Sequence, residues 1–171
     1  YDITLVEDCS DAVLVGWFPG QEGGQAIAKT LIGENNPSGR LGITYPRNSS
    51  QLPVYYYQRD ASKQEDYYDL PGSPLHEFGE GLSFSTFTYE SLAYKRNVDK
   101  LQVSVKVRNR GDFAGKVSTL LFIKLLGGSV IQRTKVLKDF CKVKLEPQEE
   151  KTIVFTLSSD DFRYMGADDQ W

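Results

Sequence analysis

The sequence predicts a two-part α+β chain, in which a partial α/β (βαβ) unit is followed by an antiparallel β-sandwich. Near the amino terminus a continuous apolar run precedes a helical pattern, whereas apolar residues after about residue 84 alternate with polar ones. Charge divides the chain similarly: residues 1–87 carry five basic and twelve acidic side chains, and residues 88–171 carry fifteen and eleven, giving −7 and +4. Such a shift indicates two differently built modules.

Length and composition narrow the classes of protein that the chain can represent. Its 171 residues, 40% of them hydrophobic and 12% aromatic, suffice for one ordinary domain or two small ones with a core in each. No apolar run approaches the roughly 20 residues that span a bilayer, and no signal peptide is visible. Cys9 and Cys141 are too far apart and too few for a disulfide framework or, with one His, a zinc site. We therefore expect no metal, cofactor or membrane partner. Unpaired cysteines favour a reducing, cytoplasmic location, and oligomeric state stays open.

The first part reads as strand, helix, strand. Residues 12–18 form a continuous apolar run, which is typical of a strand buried on both faces of a parallel sheet. Residues 25–32 follow a helical period, and Gly33 stands where a left-handed residue ends a helix. Residues 41–45 read as a second strand. Such a βαβ unit is not a domain by itself, because it needs neighbouring strands that this chain does not supply.

Residues 46–85 show no sustained period, and they are rich in Pro and Tyr. About 40 residues without regular structure exceed the usual connection between elements. We expect an extended connecting segment that packs over other surfaces. The sequence thus predicts three parts: 1–45, the α/β portion; 46–85, the connecting segment; and 86–171, the sandwich.

The second part shows short alternating strands separated by turns every 8–12 residues, which is typical of a β-sandwich. About six strands are expected, one or more short of a closed immunoglobulin-like topology, so the sandwich is predicted to be C-terminally incomplete. The strands that the pattern places most clearly are 101–107, 117–126, 133–140, 141–145 and 152–157, the last with Ile153, Phe155 and Leu157 on one face.

The glycine-rich turn at residues 20–24 is the first candidate site. It follows the carboxyl end of a predicted buried strand, where open α/β sheets bind ligands. A phosphate is unlikely to be the ligand, because the GxGxxG and Gly-Lys-Ser/Thr spacings are missing and Glu22 places an anion beside the positive helix end. A tight turn with Glu22 complementing the helix dipole, or a neutral hydroxyl-rich ligand, both remain open.

The acids of the first part and the single histidine are interpreted as non-catalytic residues. The acids of the first part lie in polar surroundings, which favours a solvated face over paired catalytic carboxylates. His76 has no Ser or Cys nucleophile motif nearby, so a structural role is predicted. The acids concerned are Glu7, Asp8, Glu65, Asp66 and Asp69.

The basic residues of the second part occupy alternating strand positions, as Lys106 and Arg108 do, and Lys142 and Lys144. No aromatic RNA-binding signature interleaves them, so a solvated strand face is predicted and nucleic acid is not expected as a partner.

Five motifs occur in a fixed order along the chain. They are WFPGQEGG at 17–24, NPSGRL at 36–41 with TYP at 44–46, SPL at 73–75, FGEGLSFSTF at 78–87 and VSVKVRNRGDFAG at 103–115, followed by KVLKDF at 135–140 and KLEPQE at 144–149. Together they resemble the C-terminal region of glycoside hydrolase family 3, the β-glucosidase and β-xylosidase family. The likeness continues through residues 101–157, which resemble the family's fibronectin type III-like domain.

The resemblance implies a retaining exo-acting glycosidase for terminal β-linked glucosyl or xylosyl residues. In this family a TIM-like barrel supplies an Asp nucleophile and an α/β sandwich domain supplies a Glu acid/base. Residues 1–45 resemble only the end of that sandwich domain, so both carboxylates are expected upstream and the chain alone is expected to be inactive. Partners are then the upstream domains and, through them, the substrate. Trp17, Gln21 and Glu22 are expected near sugar.

Departures from the family pattern touch turns and strand ends rather than chemistry. They are Gly42, Glu80, Phe84 and Gln148. An alternative is a non-catalytic immunoglobulin-like module that binds carbohydrate, by stacking sugar on exposed aromatic rings, or protein.

Overall fold

The computed structural model describes residues 2–59 and 68–167, which form two compact units. The N-terminal unit comprises residues 2–55 and 68–84, and the sandwich unit comprises residues 56–59 and 85–167. A few helices in the first and antiparallel sheets in the second confirm the predicted fold class. The predicted domain boundaries at residues 45 and 85 stay a prediction.

Helices of the N-terminal unit are short. They are α1 (Thr4–Asp8), α2 (Gly23–Leu31) and a 3-10 helix (Ser49–Gln51). Helix α2 confirms the helix predicted at 25–32, and Gly33 follows it with φ +82°, the left-handed conformation that its position predicts. Helix α1 has no sequence prediction, because five residues are too few to show a period.

The prediction of two strands beside α2 is wrong, because neither segment forms a regular strand. Residues 12–18 join no β-ladder within the ranges that the structure describes, and Val13 and Leu14 are exposed. The reason is that an extended segment needs a neighbouring strand for its backbone groups, and a βαβ unit supplies none by itself.

Residues 41–45 form only an isolated bridge, through Tyr45 and His76, instead of the predicted strand. Tyr45 N donates to His76 O (2.9 Å), and Gly79 N donates to Leu41 O (2.8 Å). The segment therefore finds a loose antiparallel partner at the carboxyl-terminal end of the connecting segment, rather than a parallel one across the helix.

The sandwich unit contains five strands in two sheets. One sheet has the order β1-β2-β5 and the other consists of β3 and β4, all antiparallel. About six strands are predicted; the described residues contain five, because 133–140 and 141–145 form one strand across which pairing continues from Phe140 to Cys141. The strands are β1 (Phe87–Arg96), β2 (Lys100–Asn109), β3 (Gly115–Ile123), β4 (Val136–Leu145) and β5 (Glu150–Ser158), followed by a 3-10 helix (Ser159–Phe162).

Alternating residues of both sheets meet in one hydrophobic core, as the period of two predicts. Asn109 lies buried beside it: its Nδ2 donates to Phe113 O (2.8 Å), and its Oδ1 accepts from Gly111 N (3.0 Å). These bonds form the turn predicted at 109–112. The core residues are Val105, Val107, Val117, Leu145, Ile153 and Phe155.

Within residues 2–59 and 68–167, no helix is both long enough and apolar enough to cross a bilayer.

Candidate functional site

The turn that precedes α2 is shaped by close backbone packing. A Cβ atom on Gly23 would lie 2.7 Å from Pro19 Cγ and closer still to Pro19 Cβ. Gly20 (φ +68°) and Trp17 (φ +48°) both adopt the left-handed conformation. Gly23 is therefore required by the ring of Pro19, and the Trp-Phe-Pro-Gly motif is the sequence of a tight turn.

The three residues predicted near sugar all lie on this turn. Trp17 is 54% exposed and its neighbour Phe18 fully exposed. Gln21 and Glu22 are also exposed. Glu22 is the N-cap residue of α2 but makes no side-chain capping bond, so its carboxylate sits beside the positive helix end without closing it. The turn thus offers an aromatic ring, an amide and a carboxylate in one stretch of six residues, a combination that suits hydroxyl groups.

His76 connects two carboxylates. Its Nε2 lies 3.1 and 3.2 Å from the two carboxylate oxygens of Glu7, and its Nδ1 lies 3.0 Å from Glu80 Oε2. The other oxygen of Glu80 accepts from Glu77 N (2.9 Å). The cluster therefore joins α1 to the turn at 76–80.

The same cluster is unsuited to glycoside hydrolysis. A retaining enzyme holds its two carboxyl groups about 5–5.5 Å apart across the scissile bond, whereas here the imidazole of His76 lies between them. The structure thus gives His76 the structural role that the sequence predicts. Sequence reasoning missed Glu7 as a partner, because 69 positions separate it from His76; only the four-residue spacing to Glu80 was visible.

Two further acids named from the sequence lie on the surface. Asp8 lies in α1 and is exposed, and Asp69 is exposed as well. Glu65 and Asp66 lie outside the described residues. Over residues 2–59 and 68–167, no group of three His, Cys, Asp or Glu side chains is arranged to hold a metal ion.

Two of the sequence motifs fold against each other. Asn36 Oδ1 accepts from Ser83 Oγ (2.7 Å) and from Phe84 N (2.9 Å). The Arg40 guanidinium donates to Gly81 O, and a Cβ on Gly81 would lie 2.6 Å from Gly39 O. The NPSGRL and FGEGLS segments are therefore held together by hydrogen bonds, and their residue types are explained by this structural contact.

Two of the four basic strand residues named from the sequence pair with acids on the sandwich surface, whereas the half-buried Arg108 has no hydrogen-bond partner for its Nε among the described residues. Lys106 lies 3.0 Å from Glu150 and Lys144 lies 2.7 Å from Glu146. The hydrogen bond with Glu146 raises the pKa of Lys144. Ion-paired lysines on strands support the predicted solvated face.

Three carboxyl groups of the described residues have a shifted pKa, and in each the pKa is lowered. The hydrogen bond from Arg110 lowers the pKa of Glu90, and the hydrogen bond from the Ser158 backbone N–H lowers that of Asp161. The backbone of Glu146 lowers the pKa of Glu149. A general acid needs a raised pKa, so these three, all in the sandwich unit, are surface and capping groups.

Family models match both parts of the chain. The model described as "Glycosyl hydrolase family 3 C-terminal domain" matches residues 2–85, and the one described as "Fibronectin type III-like domain" matches residues 118–171. Both were predicted from the motifs.

Bacterial β-glucosidases and β-xylosidases match this chain over nearly its whole length. Thermostable β-glucosidase B of Acetivibrio thermocellus is 40% identical over 90% of this chain, and a putative β-xylosidase of Formosa agariphila is 32% identical over 96%. The solved β-glucosidase of Listeria innocua superposes with a TM-score of 0.90 at 34% identity, over 99% of this chain and 25% of its own. The chain spans 22% of each of the two sequence relatives.

Proposed function

This chain belongs to the C-terminal region of glycoside hydrolase family 3, and from that premise we propose that it is the structural C-terminal portion of a retaining exo-glycosidase. The parent enzyme hydrolyses terminal β-linked glucosyl or xylosyl residues. Its nucleophile and acid/base lie on the barrel and α/β portions that these 171 residues do not include. The observation that carries the proposal is the match of 99% of this chain to one quarter of the Listeria innocua β-glucosidase.

The described acids support a scaffolding role. The imidazole of His76 occupies the space between the carboxylates of Glu7 and Glu80. The three described carboxyl groups with a shifted pKa all have a lowered pKa, not the raised pKa of a general acid. Exposed apolar side chains on and near α2, such as Leu31 and Ile32, provide surface that the rest of an α/β domain would cover.

A chimera tests the proposal. The matching C-terminal quarter of the Listeria innocua β-glucosidase is replaced by this chain, and hydrolysis of aryl β-glucoside and β-xyloside is measured. We expect the chimera to be active, whereas the truncated enzyme and the isolated chain are not. A second chimera with Gly23→Val, in which the added side chain meets Pro19, should lose most activity. Turnover by the isolated chain, or an inactive but folded chimera, would refute the proposal.

We further propose that Trp17, Gln21 and Glu22 lie near the sugar in the assembled enzyme. An exposed indole beside an amide and a carboxylate is the combination with which proteins stack on a sugar ring and bind its hydroxyl groups. In the chimera, Trp17→Ala should raise KM several-fold with little change in kcat, while Val98→Ala, at an exposed apolar position of the sandwich unit, should change neither. Equal KM values in both variants would exclude the turn from the substrate site.

A further inference from the structure

Residues 56–59, here named the strap, lie in the middle of the predicted connecting segment yet belong to the sandwich unit. Thr134 N donates to Gln58 O (2.7 Å), and Thr134 Oγ1 donates to Tyr56 O (3.3 Å). Arg59 and Arg133 form an isolated antiparallel bridge. The strap therefore adds a short strand to the residues that lead into β4.

Aromatic contacts accompany the backbone pairing. The ring of Tyr56 meets that of Tyr57 edge-on at 5.0 Å and that of Phe122 at 6.0 Å between centroids. The Arg133 guanidinium carbon lies 4.7 Å from the centroid of the Tyr57 ring, and Lys135 Nζ lies 5.4 Å from that of Phe122. Edge-to-face rings and cations over rings are attractive geometries.

Charge does not hold the strap in place. Arg59 and Arg133 are opposite each other across the bridge, and like charges in that position repel. The ring of Tyr57 accommodates the guanidinium of Arg133 instead. The two rings and the hydrogen bonds of Thr134 therefore contribute to docking, whereas the opposed arginines do not.

The hydrophobic core of the sandwich does not include the strap. The buried cluster is built from strands β2, β3, β4 and β5. Tyr56, Tyr57 and Gln58 are only half-buried. Undocking of the strap would therefore remove no residue from the buried core.

We propose that Phe122, Arg133 and Thr134 form a peptide-docking site on the sandwich unit, which recognises an extended Tyr-Tyr-Gln segment by strand addition. Residues 56–59 of the same chain occupy the site reversibly. Main-chain hydrogen bonds supply the pairing and ring contacts supply the selectivity, as in other strand-addition sites. Occupancy fixes the middle of the connecting segment to the sandwich. The inference concerns this chain alone and stands apart from the activity of the parent enzyme.

Hydrogen exchange of the Thr134 amide, followed by NMR on the full chain, tests docking. We expect the amide to be protected but to exchange by local opening, at least tenfold faster than the core amide of Val107 and with little denaturant dependence. Tyr56→Ala should speed its exchange at least tenfold and leave Val107 unchanged. Tyr94→Ala, which removes an exposed tyrosine from β1, should match the wild type at both amides.

A synthetic peptide tests recognition directly. Added in trans to the Tyr56→Ala variant, the peptide Val-Tyr-Tyr-Tyr-Gln-Arg, residues 54–59, should restore protection of the Thr134 amide in a saturable manner, while a scrambled peptide should not. Should Tyr56→Ala fail to fold, Thr134→Val removes one donor and should give a smaller increase at the same amide. The proposal is overturned if Thr134 exchanges only with global unfolding, if Tyr56→Ala leaves its rate unchanged, or if the peptide restores no protection.

Discussion

The sandwich unit and the N-terminal unit differ in how completely they bury their apolar side chains. The sandwich encloses a core in which Val107, Val117 and Leu145 are fully buried. In the N-terminal unit, Val13 is 41% exposed and Leu14 48% exposed, although both belong to its continuous apolar run. The alternating pattern therefore marks a surface that the same unit covers, whereas the continuous run is only partly covered by the described residues.

Hydrogen bonds to backbone groups hold much of the N-terminal unit together. Gln51 is buried: its Nε2 donates to Pro71 O (2.8 Å), and its Oε1 accepts from Arg47 N (2.6 Å). Such bonds fix local geometry, but each contributes only about 0.5–1.5 kcal/mol net. The sandwich should therefore be the more stable unit of the two.

The largest expected effect comes from truncating one leucine in each unit. Leu145→Ala removes methyl groups from a fully buried site and should lower the free energy of unfolding of the sandwich by about 2–5 kcal/mol. Leu31→Ala, at an exposed position, should change the free energy of unfolding of the N-terminal unit by less than about 0.5 kcal/mol. Urea denaturation of the full chain measures both. Equal effects would show that Leu31 is covered in solution and would remove the contrast between the units.

A pair of adjacent glycines gives an intermediate effect within the N-terminal unit. A methyl group on Gly23 would overlap the Pro19 ring, whereas one on Gly24 meets open space. Gly23→Ala should therefore destabilise the turn by about 1–3 kcal/mol, and Gly24→Ala should stabilise α2 by up to about 1 kcal/mol. Far-UV circular dichroism during thermal unfolding reports both changes. A stabilising Gly23→Ala would mean that Pro19 moves away from α2.

The smallest effect concerns pH and the 3-10 helix after β5. Asp161 accepts from the backbone N–H (2.7 Å) and hydroxyl (3.0 Å) of Ser158, and these bonds lower its pKa below the ordinary 3.8. Its contribution to the stability of the sandwich is therefore complete above that ordinary value and lost as pH falls through the lowered pKa. Asp161→Asn should remove this part of the acid dependence.

Urea midpoints measured from pH 6 to pH 2 would reveal the difference, with Asp99→Asn as the control. Asp99 is an exposed acid of the same unit, in the turn between β1 and β2. Parallel pH curves for wild type and Asp161→Asn would contradict the role of the capping bonds.

Much of the sandwich could be predicted because its signals are local. The alternation of Val105 and Val107 and the buried face of Ile153, Phe155 and Leu157 follow from a period of two. The Ser158–Asp161 capping box was also readable as a serine followed by an acid three positions later, though it was not predicted.

Long-range pairings could not be predicted in the same way. Nothing near Tyr56 indicates that it meets Phe122, and nothing near Glu7 indicates His76. The turn at residues 17–24 was located by its motif, but the reason for its glycine, the Pro19 ring over Gly23, needs coordinates. Periodicity predicts elements, whereas contacts between distant segments follow only from the fold.

The bridge between Tyr45 and His76 closes residues 46–75, most of the connecting segment, into a loop. Once the ends of a loop are fixed, doubling its length costs only about 0.6 kcal/mol in closure entropy. Natural insertions and deletions should accumulate there at little cost. The fully exposed Tyr68 is accordingly a convenient position at which to attach a fluorophore or an affinity tag.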